Sequence, residues 1–194
     1  MKFSRVLILL TMFSASLYFA GCAKTLSVTE ITQAPQGTVF YLAHNIWYEK
    51  PSSISSINYQ TGHILPLGTP VEILKVTRRS VTFKDVTTQK RYTIKYEVQY
   101  ALKPVDEYIR ELFTSRDFSE LTKGVQPEFI DNIRDGKVVK GMTKKEVLLA
   151  FGPPSPHKTP SLENQTWIYW TSRWPLSSTF RVIFKGDKVL EVLK

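Results

Sequence analysis

Few residues in this chain could do covalent or metal chemistry, and their spacing limits them further. Cys22 is the one cysteine among 194 residues, so neither an internal disulfide nor an all-cysteine zinc site is possible. His44, His63 and His157 lie far apart, and no H-E-x-x-H occurs. There is no G-x-S-x-G nucleophile elbow. Gly136 to Thr143 approaches a phosphate-binding loop, but Met142 stands where the phosphate-neutralising lysine is required, and no strand precedes Gly136. Asp106/Glu107 and Asp131/Asp135 read as helix-end and solvent charges rather than an acid–base pair. The expectation is a chain without catalytic residues, metal or cofactor, and not an enzyme.

Cys22 has a different chemistry open to it. Lys2 and Arg5 are followed by an apolar run from Val6 to Ala20. As a helix that run reaches only about 22 Å, short of the roughly 30 Å hydrocarbon core. It fits the apolar part of an export signal, expected over residues 1–21. The run closes on Phe19-Ala20-Gly21-Cys22. This resembles the lipobox of bacterial lipoproteins, with Phe19 where leucine is usual. The resemblance implies cleavage before Cys22 and acylation of its thiol. It also implies an outer-membrane, periplasm-facing location, because Ala23 rather than aspartate follows. Residues 22–36, rich in Thr, Ser and Gln, are expected to be a flexible tether.

The elements behind this leader fall into two blocks. Residues 37–103 contain short alternating runs: Thr38 to Ala43, Pro70 to Thr77, Val81 to Val86 and Arg91 to Tyr96. Gly62, Pro66, Gly68 and Thr87-Thr88-Gln89-Lys90 punctuate them. A small barrel-like β domain is expected, with Trp47, Tyr48, Ile57 and Tyr59 either plugging its open end or forming a recognition patch. A helical connector spans residues 104–125, its helix running from Pro104 to near Ser115. A second helix is expected from Pro127 to Asp135, capped by Gly136.

Residues 126–194 carry the densest pattern. Thr143 and Glu146 are spaced as a capping box, flanked by the Met142/Val147 staple. Gly152-Pro153-Pro154 ends that helix. Thr166 to Trp170, Phe180 to Phe184 and Lys188 to Leu193 read as strands, the last two joined by Gly186-Asp187. The expected class is α+β: a small β-barrel-like domain, a helical connector, and a two-helix layer on a three-stranded antiparallel sheet.

The segments KVVKGMTKKEVLLAFGPPS, WIYW and FRVIFKGDKVLEV resemble the SmpA/OmlA/BamE family of outer-membrane lipoproteins, over about residues 136–194. Gly141, Met142, Thr143, Val147, Gly152, Pro154, Trp167 and Tyr169 carry the match, with Phe151 where leucine is common. Members of that family are typically short, with little chain ahead of this domain. The resemblance implies a non-catalytic companion of the β-barrel assembly machine.

The net charge of +9 favours anionic partners. The export signal argues against nucleic acid. The partners expected are membrane lipid, through acylated Cys22, and envelope proteins. Peptidoglycan binding through the first block is an alternative, and an envelope enzyme a second. Phe151, Pro153, Pro154, Trp167, Tyr169, Trp170 and Trp174 are the expected partner-contact residues, chosen for their density of aromatics and prolines.

Overall fold

In a computed structural model of the chain, residues 24–172 and 179–193 are described; Cys22 and Trp174 lie outside them. The first block runs β1 (Thr25–Leu26), α1 (Val28–Thr32), β2 (Val39–Leu42), β3 (Ile46–Tyr48), β4 (Ile54–Ser55), β5 (His63–Leu65), β6 (Pro70–Thr77), β7 (Ser80–Asp85) and β8 (Arg91–Lys95). β6, β7 and β8 form the expected antiparallel meander. Its alternation buries Val71, Ile73, Val81, Phe83, Tyr92 and Ile94 on one face. The β7–β8 turn is built by Asp85, whose carboxylate accepts the N–H groups of Thr87 (2.8 Å) and Thr88 (3.2 Å) and the Thr88 hydroxyl (2.6 Å).

A register irregularity between Ile73 and Lys75 bends β6. One edge of β6 thereby receives two partners: β2 pairs at Val71 and Glu72, β1 at Val76 and Thr77. With the short parallel strand β4 on β8, the sheet curls into a half-barrel of order β4-β8-β7-β6-β2, continued by one further strand beyond β2.

Residues 25–34 correct the expectation of a tether. β1 is hydrogen-bonded to β6, and Ser27 caps α1 by accepting the Glu30 N–H. Val28 and Ile31, three residues apart on one helical face, are buried in the half-barrel core.

The middle region comprises α2 (Val98–Ala101), α3 (Val105–Leu112), β9 (Phe113–Thr114) and α4 (Phe118–Leu121). Val105, Ile109 and Leu112 bury one face of α3. The helix stops at Leu112, short of Ser115, because Phe113 turns to extended backbone and pairs with Leu42. The connector thus contributes the outermost strand of the first sheet. Asp117 and Glu120 form a capping box on α4.

The second block holds α5 (Pro127–Arg134), α6 (Lys144–Phe151), β10 (Thr166–Trp170), β11 (Thr179–Lys185) and β12 (Lys188–Leu193). The antiparallel sheet has the order β10-β11-β12, with a Gly186-Asp187 hairpin turn. α5 and α6 cover it, enclosing Ile133, Met142, Val147, Trp167 and Val182 in a second core. The fold is therefore α+β, as the sequence patterning predicts. Leu67 and Trp47, from the first block, pack into this second core.

Candidate functional site

The chemistry of α6 begins at its N-terminus. Thr143 N–H donates to the Glu146 carboxylate at 2.7 Å, and Glu146 N–H donates to Thr143 Oγ1 at 3.3 Å. Glu146 is almost fully buried and also accepts the Gln126 N–H from the start of α5. One carboxylate therefore joins two helix starts, where a negative charge is favourable.

The C-terminus of α6 meets the first block. A helix leaves its last carbonyls without intrahelical partners. Here four consecutive ones are satisfied from outside the helix. Leu149 C=O accepts the Asn45 N–H (3.2 Å), and Ala150 C=O accepts Asn45 Nδ2 (3.0 Å). Phe151 C=O accepts Asn58 Nδ2 (2.8 Å), and Gly152 C=O accepts the Tyr169 hydroxyl (3.0 Å). Asn45 Nδ2 also donates to the Ile133 carbonyl at 2.6 Å, and its Oδ1 accepts the Leu67 N–H at 2.8 Å. Asn58 Oδ1 accepts the Trp47 N–H at 2.8 Å. Both asparagines are buried. Each such bond is worth about 0.5–1.5 kcal/mol net, and a carbonyl stranded there costs more. This polar seam joins the two blocks.

Gly152 stands at the seam with φ +73°, and a Cβ on it would lie 2.7 Å from His44 Nδ1. The turn therefore needs glycine for both its backbone and its neighbour.

Beside the seam lies a cleft of about 490 Å³. Ala43, His44, Ile57, Tyr100, Ala101 and Tyr108 line one side; Leu148, Leu149, Pro153, Pro154, Pro156 and Pro160 line the other. Ser155 Oγ donates to the Tyr100 carbonyl at 2.9 Å and pins the proline-rich loop to α2. Arg116, Lys145, Lys103 and Glu111 also border the cleft. Lys103 Nζ sits 2.7 Å from the Glu111 carboxylate, which neutralises that pair.

The cleft gathers His44, Ser56 and Glu111, three residue types that a hydrolase could use. Their hydrogen bonds run elsewhere. His44 Nδ1–H donates to the Asn45 carbonyl at 2.9 Å, which fixes the ring tautomer. Ser56 Oγ accepts the Glu97 N–H at 3.0 Å. Both Glu111 oxygens accept from Lys103 Nζ. Burial holds the His44 pKa below the ordinary histidine value, against the raising effects of the Asn45 carbonyl and the Glu111 charge. Burial pushes the Tyr108 phenol well up, so it stays protonated.

The expected contact residues are placed otherwise than the sequence suggested. Phe151, Trp167, Tyr169 and Trp170 are buried, and Trp167 has no exposed surface. Their rings pack on Phe180 and Phe184 or, for Trp170, on Tyr100. Phe151, Trp167 and Tyr169 are core because a three-stranded sheet covered by two short helices needs large side chains to fill its interior, whereas Trp170, the next residue of β10, is buried against Tyr100 and His157. Pro153 is exposed and Pro154 buried; both border the cleft. Trp174 lies outside the described residues.

The aromatics of the first block are likewise packed. Trp47 leans on the second core, Tyr48 meets Tyr92 edge-on, and Tyr59 is buried. His63 lies against Tyr48, and His157 against Trp170. Among the described residues, no group of three or more His, Cys, Asp or Glu side chains could hold a metal ion. Among them, too, no helix is long and apolar enough to cross a membrane. Sequence reasoning missed Asn45 and Asn58; Asn58 alone left a trace, as a turn-type residue in the left-handed region with φ +59°.

No protein-family model, curated protein or solved structure matches the chain.

Proposed function

We propose that this chain is an outer-membrane lipoprotein, anchored through acylated Cys22, that acts as a non-catalytic scaffold in the assembly of envelope proteins, β-barrel proteins included. The observation that carries this reading is the position of the sole cysteine, directly after Ala20-Gly21 at the end of a basic and apolar leader. The resemblance of residues 136–194 to SmpA/OmlA/BamE lipoproteins supports the same compartment and role. The hydrogen bonding of His44, Ser56 and Glu111 to three different partners rather than to each other supports the non-catalytic part of the reading alone.

With the aromatic residues enclosed in the core, the partner contact moves to the edge of the second sheet. β12 is one of its two edge strands; the other, β10, is partly covered, with the Ile168 N–H on Thr159 and the Trp170 carbonyl on the Gln60 N–H. Gly141 and Met142 cover its first part through bonds to Val189. Beyond Val189, Leu190 and Leu193 are exposed apolar residues on the edge strand. Such an edge accepts an added strand from a partner, whose backbone supplies the missing hydrogen bonds.

Photo-crosslinkers placed at Leu190 and Leu193 test the role in living cells. The expected products are envelope β-barrel proteins or proteins that assemble them, identified by mass spectrometry. Recovery of peptidoglycan fragments alone, or of no envelope protein, contradicts the scaffold role.

A further inference from the structure

We propose that the cleft between the two blocks binds a long-chain aliphatic carboxylate, with its alkyl chain against the proline and leucine walls and its carboxylate at Arg116 and Lys145.

Three observations carry this. The first is size: a methylene occupies about the volume of a water molecule, roughly 30 Å³, so 490 Å³ holds on the order of sixteen. The cleft also falls within the range of small-ligand sites, about 300–1,000 Å³.

The second is the character of its walls and rim. Leu148, Leu149, Ile57 and Ala101 line it together with four prolines, Pro153, Pro154, Pro156 and Pro160. Proline has no N–H to offer. An extended peptide laid along that wall would strand its own carbonyls, whereas an alkyl chain has none to strand. Exposed apolar side chains flank the site: Leu162 borders it at 42% exposure, and α2, whose Ala101 lines it, carries Val98 at 57% and is capped by Leu102 at 61%. Leu102 also holds a left-handed backbone with φ +52°, an uncommon state for a leucine.

The third is charge. Lys103 is neutralised by Glu111, but Arg116 forms no ion pair among the described residues. Lys145 Nζ donates to the Lys123 carbonyl at 2.8 Å and forms no ion pair among the described residues. Two cations unpaired among the described residues thus border an apolar cleft whose one bordering carboxylate, Glu111, is taken by Lys103, which suits a single anionic head on a single chain.

The test is calorimetric titration of the lipid-stripped full chain with sodium palmitate below its aggregation concentration. Hexadecanol, phosphatidylglycerol vesicles and an acidic, leucine-containing peptide serve as the alternative ligands. One palmitate per chain is expected, binding at least tenfold tighter than hexadecanol. The double variant Arg116→Ala/Lys145→Ala should lower palmitate affinity about tenfold, to the level of the alcohol. Ala101→Trp and Ile57→Trp, which fill the cleft from different elements, should each abolish binding; a variant with an altered circular dichroism spectrum is set aside and the other decides. Absence of palmitate binding, equal affinity for hexadecanol, unchanged affinity in the plugged variant, or binding of vesicles or peptide in preference to palmitate overturns the proposal.

Discussion

Asn45 is 88 residues from Ile133 in the chain, yet its Nδ2 donates to the Ile133 carbonyl at 2.6 Å. The same nitrogen reaches the Ala150 carbonyl at 3.0 Å, so one amide closes the ends of α5 and α6 together. A side chain of the first block thereby completes the helices of the second. The two blocks should consequently unfold as one cooperative unit, in a single denaturation transition.

Replacing Asn45 by Leu strands the Ala150 carbonyl and the Leu67 N–H in the interior, while the Ile133 carbonyl keeps the Gly136 N–H at 3.0 Å. The expected loss is about 2–4 kcal/mol, at about 1–3 kcal/mol for each stranded group with some relaxation. Urea denaturation followed by circular dichroism measures it. Asn45→Asp should also destabilise, because a carboxylate cannot donate to the two carbonyls. That variant should weaken further as pH rises through about 4, where the unfolded aspartate ionises and the buried one resists.

Gly152→Ala should be costlier than Gly186→Ala. Both glycines have positive φ, +73° and +64°, but only the Gly152 Cβ would meet a neighbour, His44 Nδ1 at 2.7 Å, while Gly186 faces open space. Gly152 also has ψ −179°, a combination open essentially only to glycine, so its loss should exceed the roughly 1 kcal/mol of an ordinary left-handed position and reports the backbone strain and the clash together. Equal denaturation midpoints for the two variants would contradict the seam geometry.

Removing the Thr143 hydroxyl should cost about 1 kcal/mol, the usual value of a helix cap. Glu146→Ala should cost more, since its carboxylate also accepts from Gln126 and is nearly fully buried. The two losses should not add in the double variant, because each residue holds the other's backbone N–H. A double-mutant cycle on unfolding free energies reads the coupling.

How much of this was legible in the sequence differs from element to element. The capping box of α6, its stop at Gly152 and the β6–β7–β8 meander are local patterns, written in residues within a few positions of one another. α1 escaped because five residues hold only Val28 and Ile31 as apolar contacts, too short a period to register. β9 escaped because two residues, Phe113 and Thr114, become a strand only when Leu42 and Tyr41 pair with them. The same limit explains the aromatic cluster. Trp167 and Tyr169 alternate with Ile168, a pattern that names a strand and not which of its faces is covered. The seam is the extreme case, since Asn45 and Asn58 join the two blocks through carbonyls about 90 or more residues away.

His44 gives a pH signature. Its folded pKa is depressed, so the unfolded chain binds the proton more readily than the folded one. Stability should be fully present above about pH 6.5, the unfolded value, and fall as acidification proceeds below it. His44→Gln should flatten that part of the profile, as followed by thermal melts between pH 5 and 8. An unchanged slope would mean that another group sets the acid response.

The reading of this protein as a surface-anchored adaptor depends on one thiol. Intact-mass analysis of the mature chain, purified from membranes of a bacterial cell expressing the full gene product, tests it directly. The account predicts a polypeptide that begins at Cys22 and carries diacylglyceryl and N-acyl mass, with both lost in Cys22→Ala. A chain that retains its first 21 residues, or one that begins near Cys22 with a free thiol, contradicts it.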